Sequence, residues 1–269
     1  MLNEPIHIKV YPQTYYTEGP VIDQAGNVFF TTLAGGTILK LTGNSITEWS
    51  RSACPNGQAL LPNGHHIVCD SRLAALLRYD AEGNMLQKDI DTYCGGEPIN
   101  VPNDVIVDKK GNIYFTDSVR HEGKIGFIDT EGKQKIVMRQ LDYPNGLALS
   151  NDEKTLFIAE SYQNRILAFD LTAADKLTNS RVIANLPQHP SKKEINNLPD
   201  GIKVDQKGNI WIAHYGMGMI HCLSAEGSIC RSTNLPFALT SNLFIKNNRI
   251  IVTGGYAEPG PGCIAEIEL

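Results

Sequence analysis

PNDVIVDKKGNIYFTDS, residues 102–118, reads as two short strands with β-branched and aromatic residues on either side of a Gly111-Asn112 turn. Its opening phrase recurs. TEGPVID (Thr17 to Asp23), PNGQALL (Pro55 to Leu61), PNGLALS (Pro144 to Ser150), PDGIKVD (Pro199 to Asp205) and the degraded LTSNLFIK (Leu239 to Lys246) each stand where a strand begins. Each carries an oxygen-bearing side chain in the same register: Glu18, Asn56, Asn103, Asn145, Asp200 and Asn242. After every such phrase come a turn and a second strand, then a third strand such as GGTILKL or RILAFDLT, then a less regular fourth. The period scatters between about 38 and 56 residues, the range of four-stranded propeller blades. The expectation is an all-β, six-bladed β-propeller with four antiparallel strands per blade.

The rest of the chain agrees. Its 269 residues repeat without a Ser/Gly/Pro-rich linker, so residues 1–269 read as a single domain. Ile6 to Tyr11 alternates like a strand, while the last unit ends at CIAEIEL with no fourth strand of its own. The N-terminal strand is therefore expected to complete the last blade and close the ring, and trimming the first ten residues to destabilise it. A net charge of -5 and the lack of any Lys/Arg run argue against nucleic acid. No long apolar run suggests a signal peptide or membrane span, and six scattered cysteines without a C-x-x-C pair suggest buried thiols in a reducing cytoplasm. Nothing in the sequence speaks to self-association.

In a propeller the first strand of each blade lines the central channel, and its first residues lie at one mouth. Glu18, Asn103, Asn145 and Asp200 then offer two carboxylates and two amide oxygens with no thiol or imidazole. Such a set suits calcium, magnesium or manganese better than zinc, and its two negative charges balance a divalent ion. P-N-G and P-D-G are also ordinary turn signals. Against that reading, Glu18 is a poor turn residue, and acids occupy the position only in some repeats. Asn56 and Asn242 read as structural members of the set.

Taken together, EGP (Glu18 to Pro20), PNDVIVDKKGNIYFTD, YPNGLALSNDEKTLFIAES (Tyr143 to Ser161) and LPDGIKVDQKGNIWIA (Leu198 to Ala213) resemble the gluconolactonase, regucalcin and luciferin-regenerating enzyme family of six-bladed propellers. The resemblance runs from about Thr17 to the last blade. It implies a lactone-hydrolysing enzyme, often acting on sugar-acid lactones, with a catalytic divalent metal held by Glu18, Asn145 and Asp200 and with Asn103 touching metal or substrate. Calcium is the first expectation, with magnesium, manganese and zinc as alternates. Asp200 is expected to act as general base toward water, with direct attack on the carbonyl as the other route. Where the animal members carry an arginine, two residues before the PND asparagine, this chain has Val101, a departure that puts their particular sugar-lactone specificity in question.

Substrate contacts are expected from the loops Asp117 to Lys124, Glu160 to Arg165 and His214 to Met219, with Tyr16, Tyr93, Tyr162 and Tyr215 as rim aromatics. Arg120 or Arg165 is expected to hold a polar or acidic substrate. Asp70, Asp117, Glu160 and His214 share a repeat position, which suggests blade-to-blade hydrogen bonds. There is no G-x-S-x-G or H-E-x-x-H, and Gly216-Met217-Gly218 lacks the third glycine of a dinucleotide site. His65 and His66 are neighbours on a strand pattern and face opposite ways, and Trp49 and Trp211 read as packing between blades. Two other functions stay open: phosphotriester or fluorophosphate hydrolysis at the same metal, and a binding scaffold without catalysis.

Overall fold

The computed structural model describes residues 7–268, which form six four-stranded antiparallel sheets and one short hairpin. The first blade contains β2 (Thr17–Ile22), β3 (Val28–Thr32), β4 (Thr37–Thr42) and β5 (Ser45–Arg51). The second contains β6 (Pro55–Leu60), β7 (His66–Asp70), β8 (Ala75–Tyr79) and β9 (Met85–Asp91). The hairpin β10 (Tyr93–Cys94) and β11 (Glu97–Pro98) precedes the third blade, β12 (Pro102–Val107), β13 (Ile113–Asp117), β14 (Gly123–Ile128) and β15 (Gln134–Leu141). The fourth has β16 (Pro144–Leu149), β17 (Thr155–Glu160), β18 (Arg165–Ala173) and β19 (Lys176–Asn185), and the fifth β20 (Leu198–Val204), β21 (Ile210–Tyr215), β22 (Met219–Leu223) and β23 (Ile229–Asn234). In the sixth, β24 (Leu239–Lys246), β25 (Arg249–Gly255) and β26 (Gly262–Glu268) are joined by β1 (Ile8–Gln13) from the other end of the chain.

The first strands of the blades touch one another in the cyclic order β2, β6, β12, β16, β20, β24 and back to β2, so they form the channel wall. The apolar cores lie between blades. Ile67, Leu76 and Ile90 of the second blade cluster with Val105, Ile113 and Phe115 of the third, and Trp211 of the fifth joins Leu243, Ile250 and Val252 of the sixth. Trp49 lies 4.4 Å from the ring of His66 and 5.1 Å from Phe29, bridging the first two blades. The ring closes as its ends suggest: β1 pairs with β26 from Ile8↔Ile267 to Gln13↔Gly262. Ile6, included in the expected strand, lies outside the described residues. No helix of the described residues is long and apolar enough to cross a membrane.

The repeated phrases are not turns. In every first strand the register slips directly at the motif, between Glu18 and Val21, Pro55 and Gln58, Pro102 and Val105, Pro144 and Leu147, Pro199 and Ile202, and Thr240 and Leu243. Such bulges take a side chain out of the ladder and re-aim it. The glycine that follows has a packing reason. A Cβ on Gly146 would stand 2.2 Å from the Asp200 carbonyl oxygen, and one on Gly19 2.3 Å from that of Asn56. Only a bare backbone lets adjacent bulges crowd around the axis. The turn between first and second strands lies at the opposite end, where Asp108 accepts from the backbone N–H groups of Lys110 and Asn112.

The carboxylates at the shared repeat position hold the segment that crosses from the previous blade. Asp117 Oδ1 accepts from the Asn100 and Val101 amides at 3.0 and 2.7 Å, Asp70 Oδ2 from those of Ala53 and Cys54, and Glu160 Oε1 from that of Asp142. The bond to the next blade comes from the following serine. Ser71 donates to the Pro102 carbonyl, Ser118 to that of Pro144 and Ser161 to that of Pro199. His214 departs from the pattern, pairing through Nδ1 with His221 Nε2 at 3.1 Å. Of the cysteines, Cys69, Cys94, Cys222 and Cys263 are buried free thiols, whereas Cys230 is exposed and Cys54 half-buried.

Candidate active site

The six bulges converge on one mouth of the channel, where a cavity of about 260 Å³ is lined by Glu18, Asn56, Asn103, Asn145 and Asp200. Four of these were expected as the donor set. Asn56, read from sequence as structural, belongs with them: its Nδ2 donates to Ser71 while its buried Oδ1 has no protein partner. Asn242 is structural as expected. It is absent from the lining, donates to Glu18 Oε2 at 3.2 Å and accepts from the Leu243 amide.

The donors fit a hard cation. Asn145 Oδ1 and Asp200 Oδ1 are, like Asn56 Oδ1, buried without a hydrogen-bond partner, and no histidine or cysteine lines the cavity. Buried oxygens without donors are costly unless something positive meets them. Burial pushes the Glu18 carboxyl up to about 7, opposed by the Gly19 N–H that it accepts at 2.6 Å. Asp200 is likewise raised well above the usual carboxylate range by burial, then by the charges of Glu18, Asp104 and Glu258, with the Asn145 amide opposing. Beside them, Asp104 Oδ2 lies 3.7 Å from the Lys203 ammonium, which reaches it from the fifth blade. Among the described residues no three His, Cys, Asp or Glu side chains come together as a metal cluster, so amides must complete any shell here.

The walls are aromatic. Tyr16, Tyr143, Tyr162 and Tyr215 line the cavity, with Leu33, Ser161, Ile195, Leu198 and Glu258. Tyr143 packs edge-on to Tyr162 at 5.3 Å between ring centroids, and Tyr16 to Tyr215 at 6.3 Å. Burial pushes the Tyr143 hydroxyl up to about 12 and raises Tyr16 well above its ordinary value, with Asp200 the next cause for both. Tyr93 is a correction: it sits exposed in the β10–β11 hairpin, away from the cavity lining.

Both arginines already have partners. Arg165 Nε donates to Glu160 Oε2 at 2.5 Å, and Arg120 Nε to Asp142 Oδ1 at 2.7 Å. The Arg120 guanidinium also lies 3.6 Å from the centroid of the Tyr162 ring, and neither arginine lines the cavity. Asp142 lies 22 residues from Arg120, just before the fourth blade, whereas Glu160 stands opposite Arg165 across the β17–β18 ladder. Tyr143 carried a readable signal: it stands two residues before Asn145, as Tyr16 does before Glu18 and Leu198 before Asp200, and all three line the cavity. Glu258, on the β25–β26 loop, belongs to no repeat, and no sequence pattern marked it.

Comparison with known proteins agrees with this fold. Residues 16–254 match the family described as the SMP-30/Gluconolactonase/LRE-like region. A protein named lactonase drp35 from Staphylococcus saprophyticus is 30% identical over 82% of this chain and 70% of its own. A gluconolactonase from Zymomonas mobilis is 27% identical over 84% of this chain and 71% of its own. The solved structure of a gluconolactonase from Xanthomonas campestris superposes with a TM-score of 0.85 at 25% identity, covering 98% of this chain and 90% of that one. The chain belongs to the SMP-30/Gluconolactonase/LRE-like family of propellers.

Proposed function

We propose that residues 1–269 act as one domain that hydrolyses a small lactone of the sugar type, with a divalent cation held by Glu18, Asn145 and Asp200. The observation that carries this reading is the meeting, in one cavity, of two buried carboxylates with amide oxygens that have no protein partner. Calcium suits an all-oxygen set best, with magnesium, manganese and zinc as alternates. When bound, the cation supplies Lewis acidity to the lactone carbonyl and offsets the two carboxylate charges.

Asp200 is the general base. Its Oδ1 is buried without a hydrogen-bond partner in a residue that lines the cavity, and a bound cation would keep the carboxylate ionised and able to accept a proton. It takes a proton from water as the water oxygen bonds to the carbonyl carbon. The ring C–O bond then breaks, and the proton passes to the departing ring oxygen, leaving an open-chain hydroxy acid. Asn103 and Asn56 offer hydrogen bonds at the cavity floor, while Tyr162 and Tyr215 flank the ring. Arg120 acts indirectly, fixing the Tyr162 ring from behind. A cytoplasmic setting is supported by cysteines that are all unbridged.

Acid release from a panel of aldonolactones, after chelation and re-addition of calcium, magnesium, manganese or zinc, tests the reading. Phosphotriesters run in parallel. Lactone opening that requires an added cation is the expected result. Turnover of phosphotriesters alone, or turnover indifferent to chelation, would overturn it.

A further inference from the structure

The charge pattern of the cavity points to the class of lactone it admits. Its lining holds three acids, Glu18, Asp200 and Glu258, and no base. Three cations outside the lining are otherwise engaged: Arg120 with Asp142 and the Tyr162 face, Arg165 with Glu160, Lys203 with Asp104. A divalent cation matches Glu18 and Asp200, which leaves the carboxylate of Glu258 as uncompensated charge. Glu258 Oε1 accepts from the Tyr215 hydroxyl at 2.8 Å. The loop that carries it is pinned. The Tyr16 amide donates to the Pro259 carbonyl at 2.9 Å, the Tyr256 amide to that of Pro261 at 2.9 Å, and a Cβ on Gly260 would meet the Thr14 carbonyl at 2.2 Å. Glu258 is thus an exposed acid, on the cavity wall, held in place from two sides.

We propose that Glu258 is a specificity-determining residue, its fixed carboxylate accepting a hydroxyl from an uncharged polyhydroxy lactone and turning away lactones that carry a phosphate or carboxylate. The inference rests on the lactone reading above and names the substrate class within it. Fixed charge at a rim acts this way, because like charge excludes and a placed acceptor rewards the hydroxyl that meets it. Ring opening also creates a carboxylate, so the same acid that admits the neutral lactone favours departure of the product.

The test uses a neutral six-carbon aldonolactam, which resists hydrolysis, and its 6-phosphate, with binding measured by calorimetry on the metal-loaded protein and kcat/KM measured on the corresponding lactones. Wild type is expected to bind the neutral lactam at least about tenfold more tightly than its phosphate. Glu258→Gln keeps the shape and the Tyr215 bond and should shrink that ratio several-fold, whereas Glu258→Asp, which keeps the charge, should retain most of it. A merely structural role would not follow charge in this way. Equal binding of the two lactams by wild type, a ratio unmoved in Glu258→Gln, or binding of neither lactam would overturn the proposal. Discrimination between lactams without lactone turnover would uphold the selectivity while removing the hydrolytic reading.

Discussion

If the proposed cation site is right, its single residues serve ligand capture at the expense of stability, and that tension gives a prediction of opposite signs. Asp200 is buried, faces Glu18 and lacks a protein donor for Oδ1, so without a cation it destabilises the ring that carries it. Asp200→Asn should raise the melting temperature of the chelated protein by a few degrees. It should also abolish the stabilisation that calcium or manganese gives to wild type, with activity falling by about a hundredfold or more, the usual weight of a general base. Thermal melts with and without chelator measure both halves, and an Asp200→Asn protein that melts lower than wild type when metal-free contradicts the account. Much of this was legible in the sequence, because the repeat register itself aligns Glu18, Asn103, Asn145 and Asp200. What was not legible was pairing. Arg120 and Arg165 looked available because Asp142 and Glu160 become their partners only once the fourth blade folds, and Asn56 looked structural because an unpartnered oxygen has no sequence signature.

At the scale of the strand, the motif's meaning lies in the bulge rather than in a turn. Proline opens the strand, the next residue is thrown toward the axis, and glycine leaves room for the neighbouring bulge. The sequence displayed the pattern but lent itself to the commoner explanation, since P-N-G and P-D-G are good turn signals and the packing that demands glycine comes from another blade. Gly146 separates the two explanations. Its φ is not in the left-handed region, so alanine is tolerated by the backbone, yet the added Cβ would meet the Asp200 carbonyl at 2.2 Å. Gly146→Ala should therefore cost about 1–3 kcal/mol by overpacking and weaken cation binding by shifting Asp200 relative to Asn145. Urea unfolding and a metal titration check this, and a variant as stable and as tightly metal-binding as wild type would return the glycine to the role of a turn residue. The Asp-Ser and Glu-Ser pairs act at the same scale: the acid ties down the strand arriving from the previous blade, and the serine reaches the proline carbonyl of the next. Only the acid's place in the repeat was noticed from sequence, and the bond between blades belongs to its neighbour.

For the molecule as a whole, the ring must be shut before six distant bulges can share an axis, and the shutting is done by one strand. β1 contributes six register partners to β26, and Ile8 and Val10 pack on the core between the last two blades. The adjoining residues also hold one wall of the cavity: the Tyr16 amide anchors the loop of Glu258, and Thr17 Oγ1 donates to the Cys263 carbonyl at 2.6 Å. Removing residues 1–13 would uncover the β26 edge, strip those side chains from the core and leave the sixth blade with three strands. The loss should be about 3–5 kcal/mol from apolar burial and ladder hydrogen bonds together, with aggregation through the open edge. Because Glu18 sits on β2 against β24 and Asp200 on β20, the truncated chain should lose cation-dependent stabilisation before it loses its strands. Near-ultraviolet and far-ultraviolet circular dichroism followed across a metal titration distinguish the two losses, and addition of a peptide spanning residues 1–13 should restore the first. A truncated chain that melts with wild type and still responds to calcium would show that the last blade stands on three strands and that β1 only decorates it.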